Sequence, residues 1–175
     1  DRYYMQALTN KLSNGGVIDA IRITPYKQIA EVFFRWSQSI QRAEQNIINK
    51  SFYLSLANFT DPTSSFLKFN LATILSDTGN YGLSKEILDN FSNDDVFFMD
   101  SIVENSFAIE QLDSNESALE YIQQFIIDGY ANARLLKTYG SLQRSMSLFQ
   151  EAIKSYTRAI AVSYTHLTLP TKSGV

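Results

Sequence analysis

RLLKTYGSLQRSMSLFQEAIKSYTRAI, Arg134 to Ile160, carries two helical periods in one short stretch. Leu136, Tyr139, Gly140 and Gln143 share one face, and Ala152, Ile153, Tyr156, Ala159 and Ile160 share the next, because residues three and four apart meet on a helix surface. A turn at Ser145 to Ser147 separates them. A helix pair of this length cannot bury its apolar faces alone, so the stretch predicts a stack of such pairs.

A step back of 34 residues tests that expectation. From Ala159, Tyr156, Ala152, Gly140 and Leu136 it reaches Phe125, Ile122, Ala118, Ser106 and Ile102, and a second step reaches Phe91, Leu88, Ser84, Ala72 and Lys68. The residue classes recur, with Lys68 as the one marked break. Gly140, Ser106 and Ala72, and likewise Ala152, Ala118 and Ser84, are small where paired helices would approach closely. A larger side chain there would overpack the contact at about 1–3 kcal/mol.

In period and pattern the chain resembles the tetratricopeptide repeat, on Ala72, Leu75, Gly79, Tyr81 and Leu88 in one copy and Tyr139, Gly140, Ala152, Tyr156 and Ala159 in another. The copy between them departs, with Asp113 and Asn115 where glycine and tyrosine are usual. The order of segments from about Ile23 to Ile160 also resembles tetratricopeptide proteins of alphaproteobacterial type, which act as interaction proteins. The resemblance implies an all-α fold: a right-handed α-solenoid of about four antiparallel helix pairs. The expected array covers residues 25–161 in copies at about 25–62, 65–95, 97–129 and 130–161.

The 175 residues, 45% apolar and 13% aromatic, suffice for a sizeable core. A net charge of -3, from 15 basic and 18 acidic residues, supplies no counterion-release drive toward nucleic acid. No run of 18 apolar residues exists to span a bilayer. With no cysteine there is no disulfide, thiolate ligand or Cys nucleophile. That absence fits cytoplasm or periplasm, and a chain opening on Asp1 leaves room for sequence upstream.

Along the chain, Tyr4, Ala7, Leu8 and Leu12 form a helical face in Asp1 to Ser13, read as the end of a preceding helical unit. Asn14-Gly15-Gly16 closes it, and Val17 to Thr24 is a connector. Thr24-Pro25 opens the first pair, with threonine as cap and proline in the first turn. Ile29, Phe33, Trp36, Ser37 and Ile40 are its expected inner face. This copy fits the register best when slipped by one residue, and Lys50 stands where a small residue is usual. At the other end VSYTHLTLPT, Val162 to Thr171, abandons the helical pattern and resembles a translated sequencing adapter, so residues 162–175 are expected to be a non-native tail. The face of Ile153, Tyr156 and Ile160 is then expected to be partly exposed.

Chemistry finds little to work with. His166 is the one histidine and lies in that tail, so no Ser-His-Asp triad, HExxH zinc site or histidine acid–base pair is expected. Asp94-Asp95 reads as helix caps rather than a cation site, and Gly79-Asn80-Tyr81 lacks the spacing of a phosphate loop. No catalytic, cofactor or metal residue is expected, and no enzyme.

The resemblance implies a concave groove lined by the first helix of each pair. Its candidate contacts are Phe66, Phe69 and Thr73, then Val103, Phe107 and Glu110, then Arg134, Lys137, Ser141 and Arg144. The last four make one basic stripe on an acidic chain. The expected ligand is a protein or peptide segment, its apolar side chains held at Phe69 and Phe107 and an acidic group held by Lys137 and Arg144. The alternative is an architectural segment of a larger protein whose groove is filled by its own chain.

Overall fold

A computed structural model describes residues 24–40 and 44–167, without side chains for 44–47 and 165–167. The readings made for residues 1–23 and beyond Leu167 lie outside the described residues. Eight α-helices and no strand are present among those described: α1 (Pro25–Ser39), α2 (Glu44–Thr60), α3 (Ser65–Asp77), α4 (Tyr81–Leu88), α5 (Phe98–Leu112), α6 (Asn115–Ile127), α7 (Ala133–Ser145) and α8 (Phe149–Leu167). The chain divides into two compact units, one ending at Ser101 and the other beginning at Ile102.

Local chemistry sets the helix starts. Thr24, Ser64, Ser114 and Asn132 each accept a hydrogen bond from the backbone N–H three residues on, at 3.3, 3.3, 3.1 and 2.7 Å, which satisfies one otherwise orphaned donor per helix. The ends of α3 and α7 match as well. Gly79 and Ser147, two 34-residue steps apart, both take positive φ, and the next N–H (Asn80, Leu148) reaches back to the carbonyl of Leu75 or Gln143 at 2.8 Å in both copies. Asp113, at the same position in the copy between them, instead closes an ordinary helical bond to Ile109 at 2.9 Å. The departing sequence thus changes the turn and leaves the period intact.

In the first unit the core runs through Ala30, Ala57 and Leu67, then Leu54, Leu71 and Ile74, then Ala72, Leu88 and Phe91. Ser84 Oγ donates to the Ala72 carbonyl at 2.8 Å, a buried stitch between the two small positions of that pair. The inner stripe of α1 is Ala30, Phe33, Phe34 and Ser37, while Ile29 and Trp36 of the expected face lie outward. Both sides of α1 are apolar, so periodicity alone could not choose between them.

In the second unit Ile102, Ser106, Ala118, Ile122, Leu136, Gly140, Ala152 and Ala159 are all buried, as the 34-residue step requires. Asn105 Nδ2 donates to Tyr121 Oη at 3.0 Å, tying α5 to α6. Gly140 lets α8 close in, since a Cβ there would stand 3.0 Å from the Tyr156 ring. Two polar contacts lock that approach: Ser155 Oγ donates to Gln143 Oε1 at 2.7 Å, and the Ser141 and Tyr156 hydroxyls meet at 3.2 Å. Helix α8 does not stop at Val162 but continues to Leu167, because Ser163, Tyr164, Thr165 and His166 include neither Pro nor Gly to break it. Ile153 and Ile160 on this helix are exposed.

Candidate functional site

A concavity of about 400 Å³ opens between α5 and α7 in the second unit. Its lining draws on equal repeat positions of the two helices: Glu104 and Thr138, Phe107 and Ser141, Glu110 and Arg144, each 34 apart. Val103 and Leu142 supply buried apolar surface, and Phe107 remains 43% exposed at the opening. The carboxylate of Glu110 and the guanidinium of Arg144 have no ion-pair or hydrogen-bond partner among the described residues. Glu104 is engaged by Arg134, Nη2 to Oε1 at 2.7 Å, a bridge that ties α7 back to α5 beside the cavity.

The structure therefore brings Val103, Phe107, Glu110, Ser141 and Arg144 to one place. Lys137 is exposed on α7 but outside the lining, and Arg134 reaches the site through Glu104. Thr138, Ser106 and Ser145, which are not among the expected contacts, also face the cavity. Their hydroxyls donate to backbone carbonyls of their own helices: Thr138 to Arg134, Ser106 to Val103 and Ser145 to Leu142.

The remaining candidates belong to the first unit. Phe66 lines a smaller cavity of about 180 Å³ between α1 and α3, with Lys27, Glu31, Phe34 and Asp61. Its ring meets Phe34 edge-on at 5.0 Å. Phe69 is half-buried and stacks on Phe97 at 5.1 Å with Phe91 at its edge, so it packs within this unit's core. Thr73 Oγ1 donates to the Phe69 carbonyl at 2.9 Å. Asp95 accepts from the Ser65 hydroxyl, and its backbone carbonyl receives the Phe98 N–H at 3.1 Å at the start of α5. No described helix is long and apolar enough to cross a membrane.

No protein-family model and no curated protein sequence matches the chain. Solved structures do. A crystal structure of MamA aligns over 90% of this chain and 95% of its own, with a TM-score of 0.59 and 16% identity. MamA residues 41-end from Desulfovibrio magneticus RS-1 align over 78% and 76% at a TM-score of 0.57 and 10% identity. The structure of MamA MSR-1 C2 aligns over 94% and 89% at 0.56 and 12%. What is shared is the fold. The chain is all-α, of the tetratricopeptide-like helical-solenoid class.

Proposed function

We propose that this chain is a protein-interaction module that holds a peptide segment in the α5–α7 concavity, as part of a repeat array over residues 25–161. The observation that supports the reading is the company Phe107 keeps: an exposed aromatic ring over a buried apolar floor, with an unpartnered guanidinium at Arg144 and hydroxyls between. The apolar floor and ring would take one side chain of the ligand, since burial of such a group stabilises by roughly 1.5–3 kcal/mol. Arg144 would take a carboxylate through two parallel N–H donors, which fixes orientation as well as adding energy. Lys137, one turn before Ser141, would add longer-range attraction for the same acidic group, and Glu110 would accept from a backbone N–H or basic group of the ligand. Phe66 and the small α1–α3 cavity would offer a second, weaker foothold.

Random-peptide display against the full chain, followed by affinity measurement on the selected peptides, tests this. Arg144→Glu and Phe107→Ala are each expected to weaken binding about tenfold or more, the size of a lost charge-assisted hydrogen bond or buried ring. Lys137→Glu should do less, and its effect should fade with added salt because that charge is exposed. Selected peptides that bind both Arg144→Glu and Phe107→Ala as tightly as the parent protein would place binding elsewhere on the molecule.

A further inference from the structure

Opposite charges line the two walls of the α5–α7 concavity without meeting. Glu110 on α5 and Arg144 on α7 occupy equal repeat positions, 34 residues apart, and both line the cavity, yet neither has an ion-pair or hydrogen-bond partner among the described residues. Nearer the helix starts the same two helices are bridged, Arg134 Nη2 to Glu104 Oε1 at 2.7 Å. The walls thus carry opposite sign, acidic on α5 and basic on α7, and at Glu110 and Arg144 that polarity is left for a ligand to satisfy. Glu110 is half-buried, so a charge brought to it is screened by salt less than one on an open surface. The apolar surface of Val103, Leu142 and Phe107 lies beside this pair, and the three residues of helix from Phe107 to Glu110 rise by about 4.5 Å.

We infer that the segment this concavity holds is a helix in which an apolar residue is followed, three and four positions on, by one acidic and one basic side chain, the acid turned to Arg144 and the base to Glu110. The inference rests on the α5–α7 concavity being the binding site. Within about one turn the ligand must address three directions: the apolar surface, the acidic wall and the basic wall. A strand has two faces, because successive side chains point opposite ways. A helix supplies the third direction. Relative to an apolar residue at position i, positions i+3 and i+4 stand at about −60° and +40° around the axis, on opposite sides, and about 4.5–6 Å along it. That advance matches the step from Phe107 to Glu110. Acid and base in those two positions each meet a wall of opposite sign, and exchanging them sets each against its own sign, so the site discriminates by order rather than by composition. A uniformly acidic segment gains at Arg144 and loses at Glu110.

Two end-blocked peptides of about 20 residues, long enough to hold helix in an alanine-rich background, test this. They share one composition and differ only in order after a central leucine, Leu-x-x-Glu-Lys in one and Leu-x-x-Lys-Glu in the other. In fluorescence-anisotropy titrations with the full chain, one order is expected to bind about tenfold or more tighter than the other, the size of a charge-assisted hydrogen bond exchanged for a like-charge contact. The charge-reversed protein, Glu110→Arg with Arg144→Glu, should prefer the opposite order. The neutral protein, Glu110→Gln with Arg144→Gln, should bind both orders alike. Equal binding of the two orders by the parent chain, a preference that survives charge reversal, or no binding of either peptide would overturn the inference. Phe107→Ala separates that failure from failure of the site. Equal binding of both orders that is lost in Phe107→Ala leaves the concavity as the peptide site and removes only its reading of charge order, whereas binding that Phe107→Ala leaves unchanged removes the site as well. If neither peptide binds, displayed peptides that depend on Phe107 but carry no such acid–base pair still uphold the site.

Discussion

The pair α7–α8 and the pair α1–α2 solve one packing problem in two ways. In α7–α8 the helices approach through Gly140 and Ala152, and the Tyr156 ring, Ser155 and Gln143 fill and stitch the contact. In α1–α2 the corresponding place in the second helix is Lys50, half-buried, and no glycine serves the first. There Ser37 is the buried small residue, and aromatic edges from Phe33 through Trp36 to Tyr53 span the pair. Close backbone approach demands small residues at fixed positions and so enforces the repeat. Ring-mediated packing tolerates a slipped register, because a large flat side chain can meet its neighbour from several offsets.

The largest test of this contrast is to empty the same kind of site in both pairs. Leu136 and Leu54 are each buried to within 1%, and Leu→Ala at such positions costs about 2–5 kcal/mol, less where the surroundings can collapse into the cavity. Urea unfolding should show Leu136→Ala near the top of that range and Leu54→Ala lower, since α1–α2 has exposed rings free to move inward. Equal losses would mean the aromatic pair is as rigid as the close-packed one.

A smaller effect checks the slip itself. Gly140→Val drives a branched side chain into Tyr156 and should cost about 1–3 kcal/mol. If Ser37 is the equivalent contact in the first pair, Ser37→Leu should cost a similar amount while Gln38→Leu, at the exposed neighbouring position, stays within about 0.5 kcal/mol of the parent. The reverse order in thermal unfolding would restore the unslipped register.

These outcomes bear on what could be read from the chain before its structure. The small positions were legible because a steric limit acts on residue class: Gly140, Ser106 and Ala72 differ chemically but all fit. The cavity was partly legible for the same reason, as Phe107 with Ser141 and Glu110 with Arg144 are equal positions on neighbouring helices. What periodicity could not supply was choice between two apolar sides, and so Ile29 and Trp36 were expected inward and lie outward. Nor does spacing show that Phe69 turns toward Phe97, or that Ser155 would find Gln143, since both depend on how separate segments meet in space. The continuation of α8 past Val162 escaped because loss of an apolar stripe removes a reason to pack, not the capacity to stay helical.

The smallest expected difference concerns charge. Arg35 and Glu31 pair along α1 at 2.6 Å, four residues apart and largely exposed. Arg134 and Glu104 pair between α7 and α5 at 2.7 Å, with the glutamate side chain only 21% exposed. A local helical pair is worth about 0.3–0.5 kcal/mol, and an exposed tertiary pair falls within about 0.2–1 kcal/mol, the upper end requiring good geometry and less solvent. Double-mutant cycles to alanine should therefore give a larger coupling for Arg134–Glu104 than for Arg35–Glu31. Salt should erode the α1 pair more completely, because screening acts most on charges open to solvent. If the two couplings are equal and vanish together by 1 M salt, the bridge beside the cavity does not hold α7 against α5.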